Sequence, residues 1–121
     1  MEMTPQEYQE KAHAFARYGN NINYPLLGLA EECGEVAGKV AKFIRKHEGV
    51  DPFEAGGWVS MANDRLQFNA DLAKELGDVL WMVAEIATAF DLSLDEIMQT
   101  NIDKLTDRNN RGVIVGEGDN R

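Results

Sequence analysis

The chain has 121 residues and sets 12 Lys plus Arg against 21 Asp plus Glu, for a formal charge of −9 at pH 7 and a pI near 4.6. With 44% hydrophobic and 27% charged residues it has the composition of one small globular domain, not of a disordered acidic tail or a fibrous repeat. The acidity argues against nucleic acid as a partner, because affinity for phosphate backbones needs Lys and Arg, and no run approaches the roughly 20 apolar residues of a membrane span. The opening MEMTPQEYQE has neither the basic start nor the apolar stretch of an export signal, and a single cysteine, Cys33, allows no internal disulfide, so a cytoplasmic location is expected.

Thr4-Pro5-Gln6-Glu7 reads as a capping box with proline at the first helical position, and Tyr8, Ala12, Phe15 and Ala16 continue at helical spacing, which predicts a helix over 5–18. Gly19-Asn20-Asn21 ends it. Asn23 is the expected cap of a second helix with Pro25 in its first turn. There Leu26, Leu29, Ala30, Cys33, Val36, Ala37, Val40, Phe43 and Ile44 form an apolar stripe, on which Cys33 reads as a small core residue. Arg45-Lys46-His47 complement the dipole at the C-terminal end.

Residues 47–69 read as an irregular insertion, broken by Gly49, Pro52, Gly56 and Gly57 around Phe53, Trp58, Val59 and Met61. Leu72, Leu76, Val79, Leu80, Val83, Ile86, Ala87 and Phe90 then mark a third helix. Ser93-Leu94-Asp95-Glu96 is a second capping box, opening a fourth helix through Ile97, Met98, Ile102 and Leu105 to about Arg108, before a non-helical tail over 112–121. The expected architecture is a single all-α domain over 1–121, a four-helix-type bundle. A chain this short buries only about two-thirds of its unfolded surface, so completion of the bundle by oligomerisation is expected.

Glu31, Glu32 and Glu35 fall within about one turn of the second helix, and Glu75 and Asp78 repeat a three-residue spacing on the third. Antiparallel packing of the two helices would bring two carboxylate pairs face to face. At ~6 Å and an effective dielectric of ~20, each like-charge pair costs on the order of 3 kcal/mol, so the cluster calls for protonation or for a hard, oxygen-preferring cation such as Mg²⁺ or Mn²⁺. An ordinary solvated face explains the same residues: Glu31 and Glu35 lie on the side of Lys39 and Lys42, and Glu35 with Lys39 is an i,i+4 pair.

His13 and His47 are far apart and make no zinc or di-iron spacing, so surface roles are expected of both. Gly116-Glu117-Gly118-Asp119 lacks the strand, helix and lysine of a phosphate loop. Trp58 and Trp81 are candidates for stacking on a nucleobase, Trp58 the better placed because it lies in the long connection. Asn101, Lys104, Arg108 and Arg111 form a near-helical row of phosphate-binding candidates, although dipole complementarity explains the last cations equally well.

The segments Leu29-Ala30-Glu31-Glu32-Cys33-Gly34-Glu35 and Glu75-Leu76-Gly77-Asp78-Val79-Leu80, with Asn101-Ile102-Asp103-Lys104-Leu105, Arg108 and Arg111-Gly112 downstream, resemble the MazG-like all-α nucleoside triphosphate pyrophosphohydrolases. That family also includes the dimeric dUTPases and the dCTP pyrophosphatases, and the resemblance covers about residues 24–46 and 70–115. It implies Glu32, Glu35, Glu75 and Asp78 as Mg²⁺ ligands, with Mn²⁺ a possible substitute and Glu31 as a further ligand or water-positioning acid. Lys104 and Arg108, with Asn101, are implied as triphosphate contacts. The implied reaction is hydrolysis between the α and β phosphates of a nucleoside triphosphate, giving the monophosphate and pyrophosphate. The tail and single-domain form resemble phage members, which makes purine deoxynucleotides, dGTP among them, the expected substrates; the family resemblance implies a homodimer or homotetramer. The connection between the two acidic motifs is longer than the family's usual spacer. The competing expectation is a non-catalytic helical module that kept the fold for partner binding.

Overall fold

The computed structural model describes residues 2–49 and 62–121, and among these it is all-helical. The four helices are α1 (Pro5–His13), α2 (Asn23–Lys46), α3 (Ala62–Ala89) and α4 (Leu94–Asn110). The Thr4 hydroxyl caps α1 by accepting from the Glu7 amide at 3.1 Å, and the Ser93 box is complete: its hydroxyl accepts from the Glu96 amide at 3.1 Å while Glu96 reaches back to the Ser93 amide.

Three boundaries differ from the sequence expectation. α1 ends at His13 and not at 18, because Tyr18 is drawn out of helical register to bond a carboxylate on α3 and stack on Tyr24, at 4.7 Å between ring centroids. Asn23 is the first residue of α2 and not its cap; the amide of Asn23 donates to Asn21 Oδ1 at 3.1 Å, so Asn21 does the capping work from two residues upstream. Residues 62–69 are helical where an irregular stretch is expected. Phe68 explains this, since it is buried edge-on against Phe43 of α2 at 5.3 Å and extends the apolar face of α3 by a full turn.

α2 and α3 form a long antiparallel hairpin, the dominant packing of the chain. Its register is visible along its length: Gly28 lies against Met82, Glu32 beside Asp78, Phe43 against Phe68, and His47 Nε2 is 3.1 Å from Asp64 Oδ2. Gly28 allows the closest approach, because a Cβ built there would stand 2.5 Å from the Met82 sulfur.

α1 lies across α3 and carries a set of polar ties. Gln9 donates to Thr88 Oγ1 at 3.1 Å and Leu92 O at 2.9 Å, and accepts from the first amide of α4 at 2.8 Å; Trp81 Nε1 donates to Ala12 O at 3.1 Å. Ala84, Ala87 and Leu94, with Tyr8, Val83 and Ile97 against them, make a small core at this junction. Beyond Ile97, every residue of α4 from Met98 to Asp107 is exposed.

The expected core stripe of α2 is only half realised. Cys33 is exposed, as are Leu26, Ala30 and Ala37, because α3 covers one flank of α2 and no other described helix covers the second. Leu76, Leu80, Met98, Ile102 and Leu105 also remain exposed.

Candidate functional site

Midway along the hairpin, one carboxylate oxygen from each of Glu32, Glu75 and Asp78 lies within 4.8 Å of the other two. Helical periodicity makes the cluster: Glu75 and Asp78 are one turn apart on α3, and the antiparallel register delivers Glu32 opposite them. Partial burial raises the Glu32 carboxyl above its ordinary range, and the charges of Asp78, Glu31, Glu75 and Glu35 add to that shift.

Of the five acids predicted from sequence, the structure thus gathers three and places Glu31 and Glu35 on the exposed side of α2, near enough for both charges to act on Glu32. The i,i+4 partner proposed for Glu35 is engaged elsewhere: Lys39 Nζ crosses to α3 and lies 3.7 Å from Glu75 Oε1. One ammonium leaves most of the negative charge uncompensated. The donor set is all oxygen, drawn from two rigid helices and strained by mutual repulsion, and it fits a hard divalent cation such as Mg²⁺ or Mn²⁺.

Beside Asp78 opens a largely apolar hollow of about 540 Å³ between α1 and α3, lined by Met3, Tyr8, Phe15, Gly77 and Trp81 among others. Its size is that of a small-molecule pocket. Tyr8 stands between two acids: burial, then the charges of Asp78 and Glu85, push its phenol up. Of the two tryptophans singled out from sequence, Trp81 lines this hollow with Asp78, whereas Trp58 lies outside the described residues.

The cationic row of α4 is arranged differently from the expectation. Asp119 of the tail folds back so that its Oδ1 lies 3.3 Å from Lys104 Nζ and 3.1 Å from an Arg108 guanidinium nitrogen. Both cations hold the Asp119 carboxyl below its ordinary range, the Arg108 hydrogen bond most strongly. Arg108 is 5% exposed, and its buried Nε–H has no partner among the described residues. An oxyanion thus already occupies the two side chains predicted to grip a triphosphate. Asn101 is exposed on the same projecting helix, and neither cation is tied to the acidic cluster.

Sequence reasoning missed Glu85. It is wholly buried, accepts from the Tyr18 hydroxyl at 2.6 Å and meets His13 Nδ1 at 3.1 Å. The available signal was a lone carboxylate within the apolar run Met82-Val83-Ala84-Glu85-Ile86-Ala87, seven residues beyond Asp78 and so on the same side of the helix.

Fold and site define a class: an all-helical domain that gathers carboxylates from two antiparallel helices. The family model of the MazG nucleotide pyrophosphohydrolase domain matches residues 21–113, and the chain belongs to that family. It is 41% identical over 100 residues to the Gene 37 protein of Mycobacterium phage L5, covering 83% of this chain and 76% of the phage protein. It is also 29% identical over 102 residues to the Bacillus subtilis protein YvdC, covering 84% of this chain and 86% of that protein. No solved structure gives a significant match. No described helix is long and apolar enough to cross a membrane.

Proposed function

We propose that the protein is a Mg²⁺-dependent nucleoside triphosphate pyrophosphohydrolase, cleaving between the α and β phosphorus atoms to release a nucleoside monophosphate and pyrophosphate. The observation that carries this reading, in a chain of this family, is the convergence of Glu32, Glu75 and Asp78 within 4.8 Å. These three hold the cation, and Glu35 and Glu31 stand on the adjoining turn to complete its shell or to orient water. Bound there, Mg²⁺ or Mn²⁺ supplies positive charge to phosphate oxygens and lowers the pKa of an attacking water.

The rest of the site positions the substrate. The hollow beside Asp78 takes the nucleobase, with Trp81, Tyr8 and Phe15 as its apolar walls. Lys104 and Arg108, with Asn101, bind triphosphate oxygens in exchange for the Asp119 carboxylate, which marks where an anion fits.

Because α4 projects past Ile97 with Met98, Ile102 and Leu105 exposed, the bundle is completed by a second copy of the chain, whose surface covers that apolar row. Light scattering is expected to return a dimer or tetramer, and a monomer at working concentration contradicts the assembly.

Pyrophosphate release from a panel of ribo- and deoxynucleoside triphosphates with Mg²⁺ or Mn²⁺ tests the activity. Release is expected for at least one triphosphate, and a purine deoxynucleotide, dGTP first, is the expected best substrate. No release from any member of the panel overturns the reading in favour of a non-catalytic helical module.

A further inference from the structure

A fully buried carboxylate is an expensive way to fill space in a helical core, where a leucine of similar volume packs with no desolvation cost. Glu85 occupies such a place on α3 at 0% exposure. Its partners are not on its own helix. Oε1 accepts from the Tyr18 hydroxyl at 2.6 Å, and both oxygens lie within 3.3 Å of His13 Nδ1. His13 is the last residue of α1 and Tyr18 lies in the connection to α2, so one carboxylate grips the chain on either side of Phe15. The phenol of Tyr18 is pushed up, by burial first and the bond to Glu85 next, and stays a donor throughout the physiological range. The Trp81 bond to Ala12 O belongs to the same arrangement, one turn nearer Asp78 on the same stripe of α3.

These ties converge on the α1 wall of the hollow beside Asp78, which Tyr8, Lys11, Ala12 and Phe15 form. We infer that Glu85 is a positioning residue for substrate recognition: through His13 and Tyr18 it holds the end of α1 at the spacing from α3 that a planar nucleobase needs. The inference rests on the pyrophosphohydrolase reading. Glu85 itself is neither among the residues that line the hollow nor one of the three acids of the cluster.

Glu85→Leu fills the same space without hydrogen bonding. Its two partners, the exposed His13 and the half-buried Tyr18, can turn to water, so the fold is expected to survive with an unchanged or higher melting temperature. Loss of the grip is expected to raise KM for the preferred triphosphate about tenfold, with kcat within about twofold of wild type. Calorimetry should show the same weakening for a non-hydrolysable α,β-imido triphosphate, with affinity for Mn²⁺ alone unchanged. Tyr18→Phe keeps the stacked ring and should shift KM in the same direction, and Glu85→Gln, which still accepts from Tyr18, should restore values near wild type. An unchanged KM and analogue affinity in Glu85→Leu overturns the inference. So does a parallel loss of kcat, Mn²⁺ affinity and melting temperature in both Glu85→Leu and Tyr18→Phe, which is the mark of a purely structural role. A wild-type protein without turnover that still binds the analogue and responds to Glu85→Leu separates failure of the proposed reaction from failure of this inference.

Discussion

Asp78→Asn is expected to cut pyrophosphate release at least about a hundredfold, since loss of a group that merely supports a metal ligand already costs 10–100-fold. The substitution is nearly isosteric and removes one charge from the cluster in which Asp78, Glu32 and Glu75 approach within 4.8 Å. Repulsion on the other two acids falls, so helix content and melting temperature in the absence of metal should be retained or improved, while affinity for Mn²⁺ drops with turnover. That opposition, better packing with poorer chemistry, distinguishes a functional cluster from a solvated acidic face. Retained turnover in Asp78→Asn would falsify the assignment of the site.

Metal should stabilise the protein strongly, and pH should set how strongly. The Glu32 carboxyl is raised above its ordinary value of 4.5, so in the window just above that value the folded chain binds more protons than the unfolded one. The metal-free contribution of this group is therefore most favourable below the window and is lost as pH rises through it. Cation binding runs the other way, because it needs the carboxylates deprotonated and releases their protons. At neutral pH a cation at ~100 times its dissociation constant contributes about 2.7 kcal/mol, or roughly 10 °C in melting temperature for a chain of this size. Calorimetric melts with Mg²⁺, Mn²⁺ or a chelator should show this shift shrinking on acidification, and chelation should abolish turnover. A melting temperature indifferent to both cations at every pH would reduce Glu32, Glu75 and Asp78 to ordinary surface acids.

The tail sets a further acid, Asp119, beside the cations of α4. Asp119 pairs with both Lys104 and Arg108, and its single charge offsets one of their two. On the proposed reading, substrate binding would be an exchange of one oxyanion for another, with the buried Arg108 Nε–H, which has no partner among the described residues, available to a phosphate oxygen.

Much of this molecule was legible in its sequence, and what was legible is local. The Thr4 cap and the Ser93 capping box, the helical periods around Phe43, Val83 and Ile97, and the acidic repeats at Glu32 and at Glu75 with Asp78 depend on residues within a turn or two of one another, so chain order alone determines them. Tertiary structure decided the matters that depend on which faces meet. Cys33 reads as core by its period but is exposed, because among the described helices α3 alone packs extensively on α2; Lys39 has a suitable partner in Glu35 on its own helix but reaches Glu75. The early end of α1 and the burial of Glu85 share that cause: a hydrogen bond or a packed ring from a distant segment outweighs a local preference worth about 1 kcal/mol or less. Periodicity places a side chain on a face, but only packing chooses what that face meets. That choice is why three acids gather at one point while a fourth, Glu85, is sealed beneath α1.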